Sequence, residues 1–172
     1  MSQILRSWLA FAAIGTAVIH LALVISSPLP LGIVLVVLGI AEFGWGVLTL
    51  SRDRVIAPKV ARVGAIAPVL VWSVIVVAAT MLDAPEVASY FNFFPMAIAT
   101  LFELFVAISI TLQLRREARP SQPAPAGRYL IGLFAGALVV ATITTPALAF
   151  TQAGVNNPHA SHYFSNTGHA GH

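Results

Sequence analysis

Five runs of the chain, at about 7–25, 29–50, 63–82, 90–114 and 129–150, are each close to twenty residues long and almost free of charge. An α-helix needs about 20 apolar residues to cross the ~30 Å hydrocarbon core of a bilayer. Only structures whose backbone groups are all hydrogen-bonded internally survive there. The expected fold is therefore an all-α membrane protein, a five-transmembrane-helix bundle over residues 1–150 with a flexible tail over 151–172. The spans and short connections use up the 172 residues and leave no room for a separate soluble domain. Composition agrees: 58% of residues are hydrophobic and 9% charged, against about 45–50% and 25% in soluble domains. That excludes a soluble enzyme, a disordered chain and a nucleic-acid module. Arg6 before an apolar run also fits a signal peptide. The run is long for one, however, and no A-x-A-like site follows, so retention as a span is expected.

The few basic residues give a direction. Arg6 precedes the first run; Arg52, Arg54, Lys59 and Arg62 lie between the second and third; Arg115, Arg116, Arg119 and Arg128 lie between the fourth and fifth. With five crossings, all of them fall on one side. The positive-inside rule makes that side cytoplasmic and the C-terminus extracytoplasmic, in a bacterial inner membrane. The net charge of +3 is then a product of topology, not a nucleic-acid footprint.

Ionisable groups inside spans are costly and are candidates for function. The spans hold three: His20, Glu42 and Glu103. Glu42 shares a helical face with Gly39 and Gly46, and Gly32, Gly39 and Gly46 form a seven-residue seam suited to close helix contact. Glu103 has Ala99, Thr100 and Ala107 on its face, so both carboxyls are expected to point into protein. They are candidates for a proton or cation relay, or for simple hydrogen bonding across the bundle. His20, with Thr16 four residues before it, is expected to open toward the extracytoplasmic end. Gly132 and Gly136 form a GxxxG expected to pack helices. Trp8 and Tyr129 are expected as interfacial anchors, and Trp45 and Trp72 as space-fillers.

The tail, NNPHASHYFSNTGHAGH, holds two H-x-x-H pairs, His159 with His162 and His169 with His172. Imidazole suits Cu, Zn and Ni, and His-rich tracts are read compositionally as metal-binding. The chain has no cysteine, which excludes thiolate sites, so Cu(II) or Zn(II) is the expected ion. His20, Asp83 and Glu86 are expected to face the same compartment and receive it. Met81 and Met96 lie near that surface as soft donors.

The segments VIHLAL, GIAEFGWG, AIATLFELFVAI and HASHYFSNTGHAGH resemble those of a class of small, uncharacterised bacterial multi-pass membrane proteins. These carry a His near the end of the first span, and some end in a His/Gly-rich tail. The resemblance implies the multi-pass fold but no activity. Three functions are weighed. The first is an extracytoplasmic Cu/Zn-binding accessory protein in metal handling or metalloenzyme assembly. The second is a small proton-coupled carrier using Glu42 and Glu103. The third is a structural subunit of a larger membrane complex. No catalytic motif is present, and no enzyme is expected. The expected partners are the lipid bilayer and a membrane-complex or metalloenzyme subunit, with no nucleic acid.

Overall fold

The computed structural model describes residues 2–52, 54–82, 93–115 and 125–151. All regular structure among them is helical, and five helices are long and apolar enough to cross a membrane. They are α1 (Gln3–Leu23), α2 (Leu29–Ser51), α3 (Pro58–Met81), α4 (Phe93–Arg115) and α5 (Ala126–Ala149). A 3₁₀ turn, Val24–Ser26, joins α1 to α2. Asp83, Glu86 and the four tail histidines lie outside the described residues.

Three helices, α1, α3 and α5, start earlier than their apolar runs. The Ser2 hydroxyl accepts a hydrogen bond from the Leu5 N–H (3.3 Å) and caps α1 ahead of Arg6. Pro58 opens α3 at its first position, where its missing N–H costs nothing. This draws Lys59 and Arg62 into the first turns. Hydropathy marks the apolar middle of a helix; caps and prolines mark its polar ends. Pro30 similarly sits in the first turn of α2, while α5 continues past Pro146 to Ala149.

α1 is the axis of the bundle. It packs against α2, α4 and α5, while α3 packs on α4. α1 and α2 form an antiparallel hairpin whose close approach requires glycine. A Cβ on Gly39 would lie 2.8 Å from Leu21 Cγ and 3.1 Å from the Ala17 carbonyl oxygen. One on Gly46 would lie 2.8 Å from Ile14 Cγ1 and 3.0 Å from the Ala10 carbonyl oxygen. Gly39 and Gly46 therefore allow the close helix contact expected of the seam, whereas a Cβ on Gly32 would make only an ordinary 3.6 Å contact with Val24.

On the far side, Gly132 and Gly136 of α5 face Ile4 and Trp8 of α1, so these two helices run parallel. Trp8 is half-buried on this seam, and its Nε1–H donates to the Gly132 carbonyl at 2.9 Å. The Ser7 hydroxyl lies 3.4 Å from that of Tyr129 on the same seam. Trp8→Phe keeps the ring and removes the donor. It is expected to destabilise the bundle by about 1 kcal/mol, as such bonds do within membranes, measured by reversible unfolding in micelles.

α4 runs opposite to α5, with Phe94 against Phe150 (ring centroids 5.0 Å apart), and α3 runs opposite to α4, with Trp72 against Phe93 (5.7 Å). Direction thus alternates along the chain. Arg6, Arg52, Arg54, Lys59, Arg62, Arg115 and Arg128 consequently share one end of the bundle, called the basic end below. The outward faces of α2 and α3 carry large exposed aliphatics such as Val37, Ile40, Val63, Leu70 and Val74. α2 and α3 scarcely touch each other, and the gap between them is floored by α1 and α4.

Candidate metal centre

His20, Glu42 and Glu103 come from three different helices and meet inside the bundle. His20 Nδ1 lies 2.9 Å from Glu42 Oε2, and His20 Nε2 lies 3.8 Å from Glu103 Oε1. One potential ligand atom from each residue falls within 4.8 Å of the other two, so the group could hold a metal ion. His20 is fully buried and Glu103 is 4% exposed.

The meeting follows from side-chain direction. In a helix every Cα–Cβ bond tilts toward the N-terminus. In the α1–α2 hairpin Gly39 lies level with Ala17–Leu21 and Gly46 with Ala10–Ile14. Glu42 therefore sits about one turn closer to the basic end than His20. His20 leans toward the start of α1, at the basic end; Glu42 leans toward the start of α2, at the other end. The two lean into each other across the gap. Glu103 leans the same way as Glu42, because α4 runs parallel to α2. Ala99 and Ala107, one turn either side of Glu103, are buried and small, and let α4 approach.

His20 therefore does not open to the far end of the bundle. Its ring is drawn inward, and Ile19, Leu23, Leu35 and Met96 are buried with it in the core. Met81, by contrast, is exposed at the end of α3. Thr16, one turn from His20, donates its hydroxyl to the Ala12 carbonyl (3.1 Å) and takes no part in the group's hydrogen bonding.

The two links within the group differ in kind. The Nδ1–Oε2 contact is a hydrogen bond. The Nε2–Oε1 separation is too long for one, and both atoms are buried without a hydrogen-bond partner. Two polar atoms facing each other unsatisfied in an apolar bundle are costly. Their spacing suits a bridging ion. Two ligands bound at about 2.1 Å to a tetrahedral Zn(II) stand roughly 3.4 Å apart, so closing 3.8 Å requires only a small shift.

A cavity of about 230 Å³ adjoins the group. It lies between α2 and α3, with Thr16, Glu42 and Glu103 in its wall and Ala57, Ala61 and Gly64 toward the basic end. Trp45 does more than fill space here. It lines the cavity, and its Nε1–H donates to the Ile56 carbonyl at 2.8 Å, tying the α2–α3 connection to α2. Ala57 takes a left-handed backbone (φ 44°, ψ 56°) to turn the chain into α3. Neither feature has a signal in residue spacing.

Comparison with protein-family models, with curated proteins and with solved structures finds no match.

Proposed function

We propose that this chain is a multi-pass protein of a bacterial inner membrane that binds one divalent metal ion within its bundle. His20, Glu42 and Glu103 are the ligands, and the ion sits between His20 Nε2 and Glu103 Oε1. The carrying observation is that pair of buried atoms, facing each other at 3.8 Å without a hydrogen bond. Collection of the described basic residues at one end supports a cytoplasmic N-terminus and an extracytoplasmic C-terminus.

Charge supports the reading too. Two carboxylates in a low-dielectric bundle need compensation, and the described lysine and arginine side chains belong to the basic end. A divalent cation with a neutral imidazole makes the group electroneutral. Two oxygens and one imidazole nitrogen suit Zn(II), and at tetragonal geometry Cu(II), better than sulfur-seeking Cu(I). The tail histidines, with Asp83 and Glu86, would act as a separate extracytoplasmic collecting site for a metal-handling accessory protein.

Titration of purified protein with Zn(II) separates the two sites. Replacing His159, His162, His169 and His172 by alanine is expected to leave one tight ion per chain. Adding Glu103→Gln to that variant is expected to abolish the remaining tight binding. If the tail variant binds no ion, the bundle site is refuted.

A second reading uses the same residues without an ion. Both ring nitrogens of His20 face a carboxyl group, which is the arrangement of a proton path from Glu42 through the imidazole to Glu103. It supports a proton-coupled carrier. Proton flux in metal-free liposomes that Glu42→Gln abolishes would favour it over the metal site.

A further inference from the structure

We infer that the ion reaches the His20–Glu42–Glu103 group from the basic end, through the cavity between α2 and α3, and that the group is closed toward the opposite end. This rests on the metal-site reading and adds its route and sidedness.

The cavity extends from the carboxyl groups to the α2–α3 connection: Glu42 and Glu103 form one wall and Ala57, at the start of α3, another. Its volume of about 230 Å³ exceeds the ~30 Å³ share of a single water several-fold, so a partly hydrated cation fits. Small residues keep it open. Ala61 lines it, and a Cβ added to Gly64 would meet nothing within 4 Å.

The other direction is closed. His20 is fully buried, and Leu23, Leu35 and Met96 are each at most 5% exposed. The hairpin seals above them: Ser27 Oγ donates to the Leu23 carbonyl at 2.7 Å, and Gly32 packs on Val24. Among the described residues, the α1–α2 seam above His20 is packed closed at Gly39, where a Cβ would lie 2.8 Å from Leu21 Cγ. Toward the basic end, the Trp45–Ile56 hydrogen bond is the only described side-chain tie between α2 and its connection to α3, and it borders the cavity. It serves as the latch.

Filling the cavity should therefore slow loading without removing a ligand. In protein carrying the four tail substitutions, Ala61→Phe is expected to lower the Zn(II) association rate by at least tenfold. Equilibrium affinity should stay within about threefold of the parent. Trp45→Phe, which removes the latch donor, is expected to speed both loading and release. If the parent binds Zn(II) and folded Ala61→Phe loads at the parent rate, the route is overturned while the site stands. If the parent binds none, the site itself fails.

Should Ala61→Phe not fold, thiol labelling decides the same point. The native chain has no cysteine, so Ala61→Cys introduces a single thiol. A membrane-impermeant thiosulfonate is expected to label it from the cytoplasmic side only, and the label should slow Zn(II) loading at the carboxyl groups. Labelling from the opposite side, or a label without effect on loading, overturns the proposal.

Discussion

His20→Ala, in protein lacking the tail histidines, is expected to weaken Zn(II) binding by more than about a hundredfold. Loss of an outer partner that merely orients a metal ligand costs 10–100-fold. His20 supplies the only nitrogen of the group and also holds Glu42 in place, at 2.9 Å, so its loss should exceed that range. The substitution also leaves Glu42 and Glu103 facing each other with no bridging group. The variant is therefore expected to melt at lower temperature than Thr16→Val, which removes a nearby hydroxyl that bonds only to the Ala12 carbonyl. Isothermal titration and a thermal melt on the same two proteins check both outcomes. Parent-like affinity in His20→Ala would remove the imidazole from the site.

The second large effect concerns a residue that touches no ligand. Gly46→Leu is expected to cost about 3 kcal/mol, the upper part of the range for overpacking a close contact. Its Cβ alone would stand 3.0 Å from the Ala10 carbonyl oxygen, a backbone atom that cannot turn aside. α1 and α2 would have to separate. Glu42 lies one turn away on the same face, so separation also draws it from His20, and Zn(II) affinity should fall together with stability. Gly44→Leu is the control. A Cβ there meets nothing within 4 Å, and the same change of size should leave both properties near the parent. Equal effects at the two positions would mean that the seam does not set the hairpin's spacing.

Much of this architecture can be read in the sequence. The apolar runs are long enough to mark five helices, and the Gly32/Gly39/Gly46 spacing marks the face on which α2 meets α1. GxxxG at Gly132 and Gly136 marks the α1–α5 seam. The three ionisable residues within the apolar runs, His20, Glu42 and Glu103, stand out as well, because little else there is charged. Their grouping is a different matter. Counting residues from helix ends separates His20 from Glu42 by more than a turn and pairs it with Asp83 and Glu86, which lie outside the described residues. The tilt of side chains toward each helix N-terminus closes that gap in an antiparallel hairpin, and it acts on any His/Glu pair so placed. The cavity was not legible at all. It arises because α3 packs on α4 and leaves α2, a choice of neighbours that no local pattern in either helix encodes.

The most direct test of the metal site is X-ray absorption at the zinc edge on full-length protein loaded with one equivalent of Zn(II). A single imidazole with oxygen ligands at about 2.0–2.2 Å, unchanged when the four tail histidines are replaced by alanine, is the predicted spectrum. Scattering from two or more imidazoles, lost in the tail variant, would place the ion on the tail and contradict the site at His20, Glu42 and Glu103.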